Sequence, residues 1–115
     1  MPPQLVMTIL DMTLPPGQEA DTARALQTLC DVTRARPGCV GGGVFQQVGR
    51  PEETLYVEIW NEVGALEDHI RSREFDRLLA ILETSPAPPL LTFRFVAETR
   101  GLAWVEELRL KGNPQ

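Results

Sequence analysis

The chain has 115 residues, 43% of them hydrophobic, with a net charge of −5 and a pI near 4.8. That fits one globular domain burying roughly two-thirds of its unfolded surface. The acidic balance and the scatter of the eleven basic residues argue against nucleic acid and anionic membrane as partners, since both need clustered Lys and Arg.

No apolar run approaches the roughly 20 residues of a membrane span. The start, MPPQLVMTIL, lacks the charged n-region and small-residue cleavage site of a signal peptide. A cytoplasmic protein is therefore the expectation, with Cys30 and Cys39 as free thiols. One histidine and two separated cysteines make no metal ligand set.

Gln4 to Met12 is apolar on both alternations and predicts a well-covered strand, stopped by Leu14-Pro15-Pro16-Gly17. Gly17 to Ala35 predicts a helix, with Leu26, Leu29, Cys30 and Thr33 at i, i+3, i+4 and i+7. Glu19 and Asp21 sit near its positive end and Arg34 near its negative end; Pro37-Gly38 closes it. Val40 to Val48 reads as a second strand despite Gly41, Gly42 and Gly43. Those glycines fit either a bent strand in a curved sheet or a close approach by ligand or backbone.

A polar connection, Gly49 to Glu53, leads into a third strand, Thr54 to Trp60. Asn61 is the expected N-cap of a second helix carrying Val63, Leu66 and Ile70 on one face. Ser72 is expected to break that helix, and Phe75, Leu78, Leu79 and Leu82 continue a second amphipathic segment. After the turn Ser85-Pro86-Ala87-Pro88-Pro89, a fourth strand is expected over Leu90 to Ala97. In the tail, Leu102, Trp104, Leu108 and Leu110 alternate, which predicts a strand or extended arm over the helical turn that Trp104, Val105 and Leu108 would also allow.

The order β-α-β-β-α-β defines an α+β, ferredoxin-like architecture: an antiparallel four-stranded sheet with two helices on one face. Alternation splits strand three into Leu55, Val57, Ile59 and Tyr56, Glu58, Trp60, and strand four into Leu91, Phe93, Phe95 and Leu90, Thr92, Arg94, Val96. The purely apolar sets are expected to meet the helices. The other face would expose Tyr56, Trp60 and several aliphatics, more than a monomer usually shows, so a second sheet is expected to cover it in a homodimer. Glu58 and Arg94 would then lie inside the enclosure, paired with each other, with water or with a ligand. The alternative is a solvated face with both charges at the surface.

The strand ending Glu58-x-Trp60, the helix with Ala65-Leu66-Glu67-x-His69, then Arg73-x-Phe75, and Pro37-Gly38-Cys39 upstream together resemble the antibiotic biosynthesis monooxygenase domain family. The resemblance covers roughly Leu5 to Ala97; it frames residues 1–99 as the domain and 100–115 as an extension that contacts the dimer. It implies a dimeric α+β barrel and cofactor-independent oxygenation of a quinol, anthrone or polyketide-like aromatic in a pocket between sheet and helices, without metal or flavin. Triplet oxygen reacts slowly with closed-shell molecules, but an electron-rich phenolate or enolate can donate one electron itself. The protein then binds the substrate, removes a proton and stabilises the developing charge.

His69 is the candidate base, because imidazole as a side-chain class titrates near neutrality; its bland role is packing at a helix edge. Trp60 stacks the substrate or fills the barrel core, and Tyr56 stacks or hydrogen-bonds it. Glu58 and Arg94 contact substrate or form a structural ion pair. Asp11 is the acidic contact from strand one, or simply the start of a turn. Haem-degrading relatives supply an asparagine from strand one and a histidine after the second helix's phenylalanine; here Phe75 is followed by Asp76, so no haem is expected. A non-catalytic small-molecule-binding or stress-response dimer is the competing expectation, and a structural protein whose tail docks on its neighbour is the third.

Overall fold

The structure is a computed structural model that describes residues 4–112; the outermost ends of the expected domain and extension lie outside the described residues. In chain order the elements are β1 (Val6–Thr13), α1 (Glu19–Arg34), β2 (Cys39–Gln47), β3 (Arg50–Trp60), α2 (Val63–Ile70), α3 (Arg73–Leu82), β4 (Leu90–Phe95) and α4 (Leu102–Lys111). The four strands form one antiparallel sheet in the order β2-β3-β1-β4. This is the ferredoxin-like arrangement expected from the element order. Among the described residues, no helix is long and apolar enough to cross a membrane.

α1 buries the stripe its periodicity defines, Leu26, Leu29, Cys30 and Thr33. With Phe75 and Leu78 of α3 it packs on Leu10, Met12, Leu14 and Tyr56. A smaller cluster of Val6, Trp60 and Leu66 lies under α2. α2 and α3 are two helices because Ser72 stops one and caps the next: its hydroxyl accepts from the Phe75 amide at 3.3 Å. Asn61 is not the cap of α2. Its amide instead donates to the Gly38 carbonyl at 2.9 Å, and Glu62 takes the cap position without a side-chain bond.

Of the β2 glycines, Gly42 serves a close backbone approach. Register shifts between Cys39 and Gly41, and at Gly42, with φ near +151°, a Cβ would collide with the Val57 carbonyl. Only glycine tolerates that position.

Two further expectations are corrected. Strand three is turned over: Tyr56, Glu58 and Trp60 face the helices and are buried, whereas Leu55 is 38% exposed and Val57 and Ile59 share its half-open side. Strand four keeps its expected facing at Leu91 and Phe93, which pack against the core, but it ends at Phe95 rather than Ala97 and Phe95 is 53% exposed. Glu58 and Arg94 therefore stand on opposite faces of the sheet and do not pair. The helices accept the polar set because its hydrogen bonds are satisfied internally; a satisfied polar group can be buried where an unsatisfied one cannot.

The tail is also not an arm. α4 is a helix in which every described residue is exposed. Leu102-Ala-Trp-Val-Glu-Glu-Leu-Arg-Leu-Lys111 is rich in helix formers, Arg109 and Lys111 sit at its negative end, and Lys111 reaches Glu107 one turn back at 2.8 Å.

Candidate active site

Tyr56, Glu58 and Trp60 occupy i, i+2 and i+4 of β3, so the pleat aims all three at the helix layer. α2 lays His69 over them. Each of the four is 1% exposed or less, and together they form a closed polar cluster in an apolar surround.

Glu58 is its centre. One carboxylate oxygen accepts from the Tyr56 hydroxyl at 2.8 Å and meets His69 Nε2 at 3.0 Å; the other accepts from Trp60 Nε1 at 3.1 Å. Burial works to raise the pKa of this carboxyl, but the bonds from His69, Tyr56 and Trp60 outweigh it and hold the group below the ordinary glutamate range. Glu58 is thus ionised at neutral pH. Tyr56 moves the other way: burial and then the neighbouring Glu58 charge push its phenol far up, so it stays a donor.

An ionised carboxylate can only accept, so the proton at the Glu58 contact belongs to His69 Nε2. The second ring nitrogen, Nδ1, lies 3.4 Å from Ser72 Oγ. That hydroxyl's single proton is already donated to the His69 carbonyl at 2.6 Å, so it does not block Nδ1. The imidazole is anchored to the carboxylate through one nitrogen and has its other nitrogen towards Ser72, the orientation of an acid–histidine dyad. Trp60 lies beside the ring, with centroids 5.0 Å apart, and Phe75 meets it edge-on at 5.7 Å.

Two further hydroxyls reach this layer. Thr8 sits across β1 from Glu58 and Thr33 on α1; both are fully buried, and neither side-chain oxygen has a hydrogen-bond partner. The sequence disclosed Thr33 only as part of the buried stripe of α1 and left Thr8 unmarked, although Thr8 is the one polar residue in the inward series Val6, Thr8, Leu10, Met12. It also placed Ser72 only as a break.

The structure brings together Tyr56, Glu58, Trp60 and His69 from the expected set. It leaves out Asp11 and Arg94, which stand on the open face, Asp11 across from Leu55 and Leu90 and Arg94 across from Met7. Asp11 lies within β1 and starts no turn. Cys30 and Cys39 are free thiols, both pushed up by burial. Among the described residues, no three His, Cys, Asp or Glu side chains stand close enough to share a metal ion.

The sequence pattern of the antibiotic biosynthesis monooxygenase family matches residues 5–80. No curated protein matches the chain. Among solved structures, a conserved protein from Methanosarcina mazei Go1 superposes with a TM-score of 0.70 at 22% identity, covering 79% of this chain and 91% of its own. A protein from Deinococcus radiodurans named for the same monooxygenase family gives a TM-score of 0.75 at 18% identity, covering 84% and 97%. A protein of unknown function from Bacteroides thetaiotaomicron, described as a possible oxidoreductase, gives 0.69 at 14% identity, covering 84% and 100%. At these identities the likeness is one of fold.

Proposed function

The chain belongs to the antibiotic biosynthesis monooxygenase family, and from that premise we propose that it is a homodimeric, cofactor-independent monooxygenase of a small electron-rich aromatic, of the quinol or anthrone type. The observation that carries this reading is the buried His69 imidazole, held at Nε2 by an ionised Glu58 with Nδ1 turned towards Ser72.

In this reading the substrate lies against Trp60 and gives a proton to His69 Nδ1. The resulting phenolate or enolate passes one electron to oxygen, and the radical pair recombines to a peroxide. The peroxide O–O bond breaks; one oxygen stays on the ring carbon as a carbonyl, and the other leaves as water with two hydrogens from the substrate. Glu58 stabilises the imidazolium that forms in the first step. Thr8 and Thr33 offer hydroxyls to the substrate's oxygens.

Because the cluster is closed, binding requires the helix layer to move off β3. The reading places the protein in the cytoplasm, and pairs two copies through the open sheet face, where Phe45 is 56% and Leu90 59% exposed in a single chain.

Oxygen uptake with dihydroxynaphthalenes, anthrones and hydroquinones, with chelator and heat-denatured controls, tests it. Protein-dependent, chelator-resistant uptake is expected, and no uptake above autoxidation across the panel overturns the proposal. One observation favours a second reading: a cluster closed this completely also suits a binding module without turnover. That reading expects saturable quenching of Trp60 fluorescence with no oxygen consumed.

A further inference from the structure

The open sheet face carries its charges in a pattern. Across one end of it, Leu90, Asp11, Leu55 and Phe45 lie abreast on β4, β1, β3 and β2. Across the other end lie Arg94, Met7, Ile59 and Gly41. Acid and base thus sit on neighbouring strands but at opposite ends, four residues apart along the strand direction, or roughly 13 Å. Each stands among apolar neighbours. The acid end also holds a depression of about 310 Å³ whose walls include Asp11, Phe45, Glu53 and Leu55. Glu53 is already engaged, accepting from Thr13 at 3.0 Å and facing Arg50 at 3.9 Å.

Two copies that meet by these faces are related by a two-fold axis in the plane of contact. An axis along the strands lays each end over its own kind. Asp11 then meets Leu90 or Asp11 of the partner, and Arg94 meets Met7 or Arg94, so both charges lose water and gain nothing. An axis across the strands exchanges the ends. Arg94 of one copy then comes over Leu90 at the partner's acid end, one strand from the partner's Asp11, and symmetry makes the same contact twice. With packed sheets roughly 10 Å apart, the long Arg94 side chain spans the gap.

We propose that Arg94 of each protomer pairs with Asp11 of the other, a reciprocal ion pair that selects the across-strand axis and fixes the register of the homodimer. It rests on the sheet-to-sheet dimer put forward above.

Sedimentation velocity on the full chain at micromolar concentration tests it with Asp11→Lys, Arg94→Glu and the double variant. The expected result is a dimeric parent, single reversals whose dissociation constants rise on the order of 100-fold, and a double variant that recovers most of the loss. A monomeric parent overturns the dimer and this inference together. A dimeric parent whose single reversals dissociate no more readily, or whose double variant is as weak as either single, overturns the pairing and leaves the dimer standing. Both side chains are exposed in the protomer, so the fold should survive. Should a reversal unfold, the neutral pair Asp11→Asn and Arg94→Gln replaces it, and strictly additive losses in that cycle overturn the pairing.

Discussion

Glu58 stays charged where no water reaches it because three donors stand in for the solvent. That arrangement has a pH signature. A carboxyl whose folded value lies below its ordinary value of 4.5 stabilises the fold fully above that value, and the contribution is lost as pH falls through the folded value. Melting temperature should therefore drop on acidification below about pH 4.5 more steeply in the parent than in Glu58→Gln, which has no charge to lose; equal slopes would remove Glu58 from the acid response. The same residue separates catalysis from architecture. If His69 is the base, His69→Gln should lower kcat by about 100- to 10,000-fold, while Glu58→Gln should lower kcat and shift the pH–rate profile, because the imidazolium loses its counter-charge. A variant that loses melting temperature but keeps its turnover per folded molecule would mark the cluster as structural.

Helices and strands differ in how much of their fate the sequence discloses. α1 was legible to its individual buried residues, since a 3.6-residue stripe has only one way to face a sheet. β3 was not. Alternation sorts Tyr56, Glu58 and Trp60 from Leu55, Val57 and Ile59, but it cannot say which set faces in, and ranking by polarity picks the wrong one when the polar set satisfies itself. The candidate site was accordingly legible as a set of neighbours and misread as to its side. α4 failed differently: Leu102, Trp104, Leu108 and Leu110 alternate by coincidence in a stretch whose composition favours helix. The junction of α2 and α3 yields its own test. Removing the Ser72 hydroxyl (Ser72→Ala) should cost about 1 kcal/mol through the lost cap of α3, measurable by urea denaturation, and should perturb His69, whose carbonyl accepts from Ser72 Oγ and whose Nδ1 lies 3.4 Å from it. A loss below 0.3 kcal/mol would show the cap to be idle.

The described chain is larger in span than its length requires. Its radius of gyration is 17.2 Å, against about 13 Å for a compact domain of this size, and α4 is the cause, with Leu102 71% and Leu110 81% exposed. A ten-residue helix is marginal alone in water, so we expect α4 to gain its support from the second protomer. Truncation after Thr99 should leave the protomer's stability within about 0.5 kcal/mol of the parent and weaken the dimer; unchanged sedimentation would refute the docking. The polar cluster bears on how the whole chain reaches this shape. Glu58 finds two of its three donors, Tyr56 and Trp60, only two residues away on its own strand, while His69 comes from the helix that follows. Contacts so local close early, so the carboxylate can be satisfied as β3 forms and before any helix covers it. His69 would then arrive late, and its removal should speed unfolding while leaving the folding rate nearly untouched.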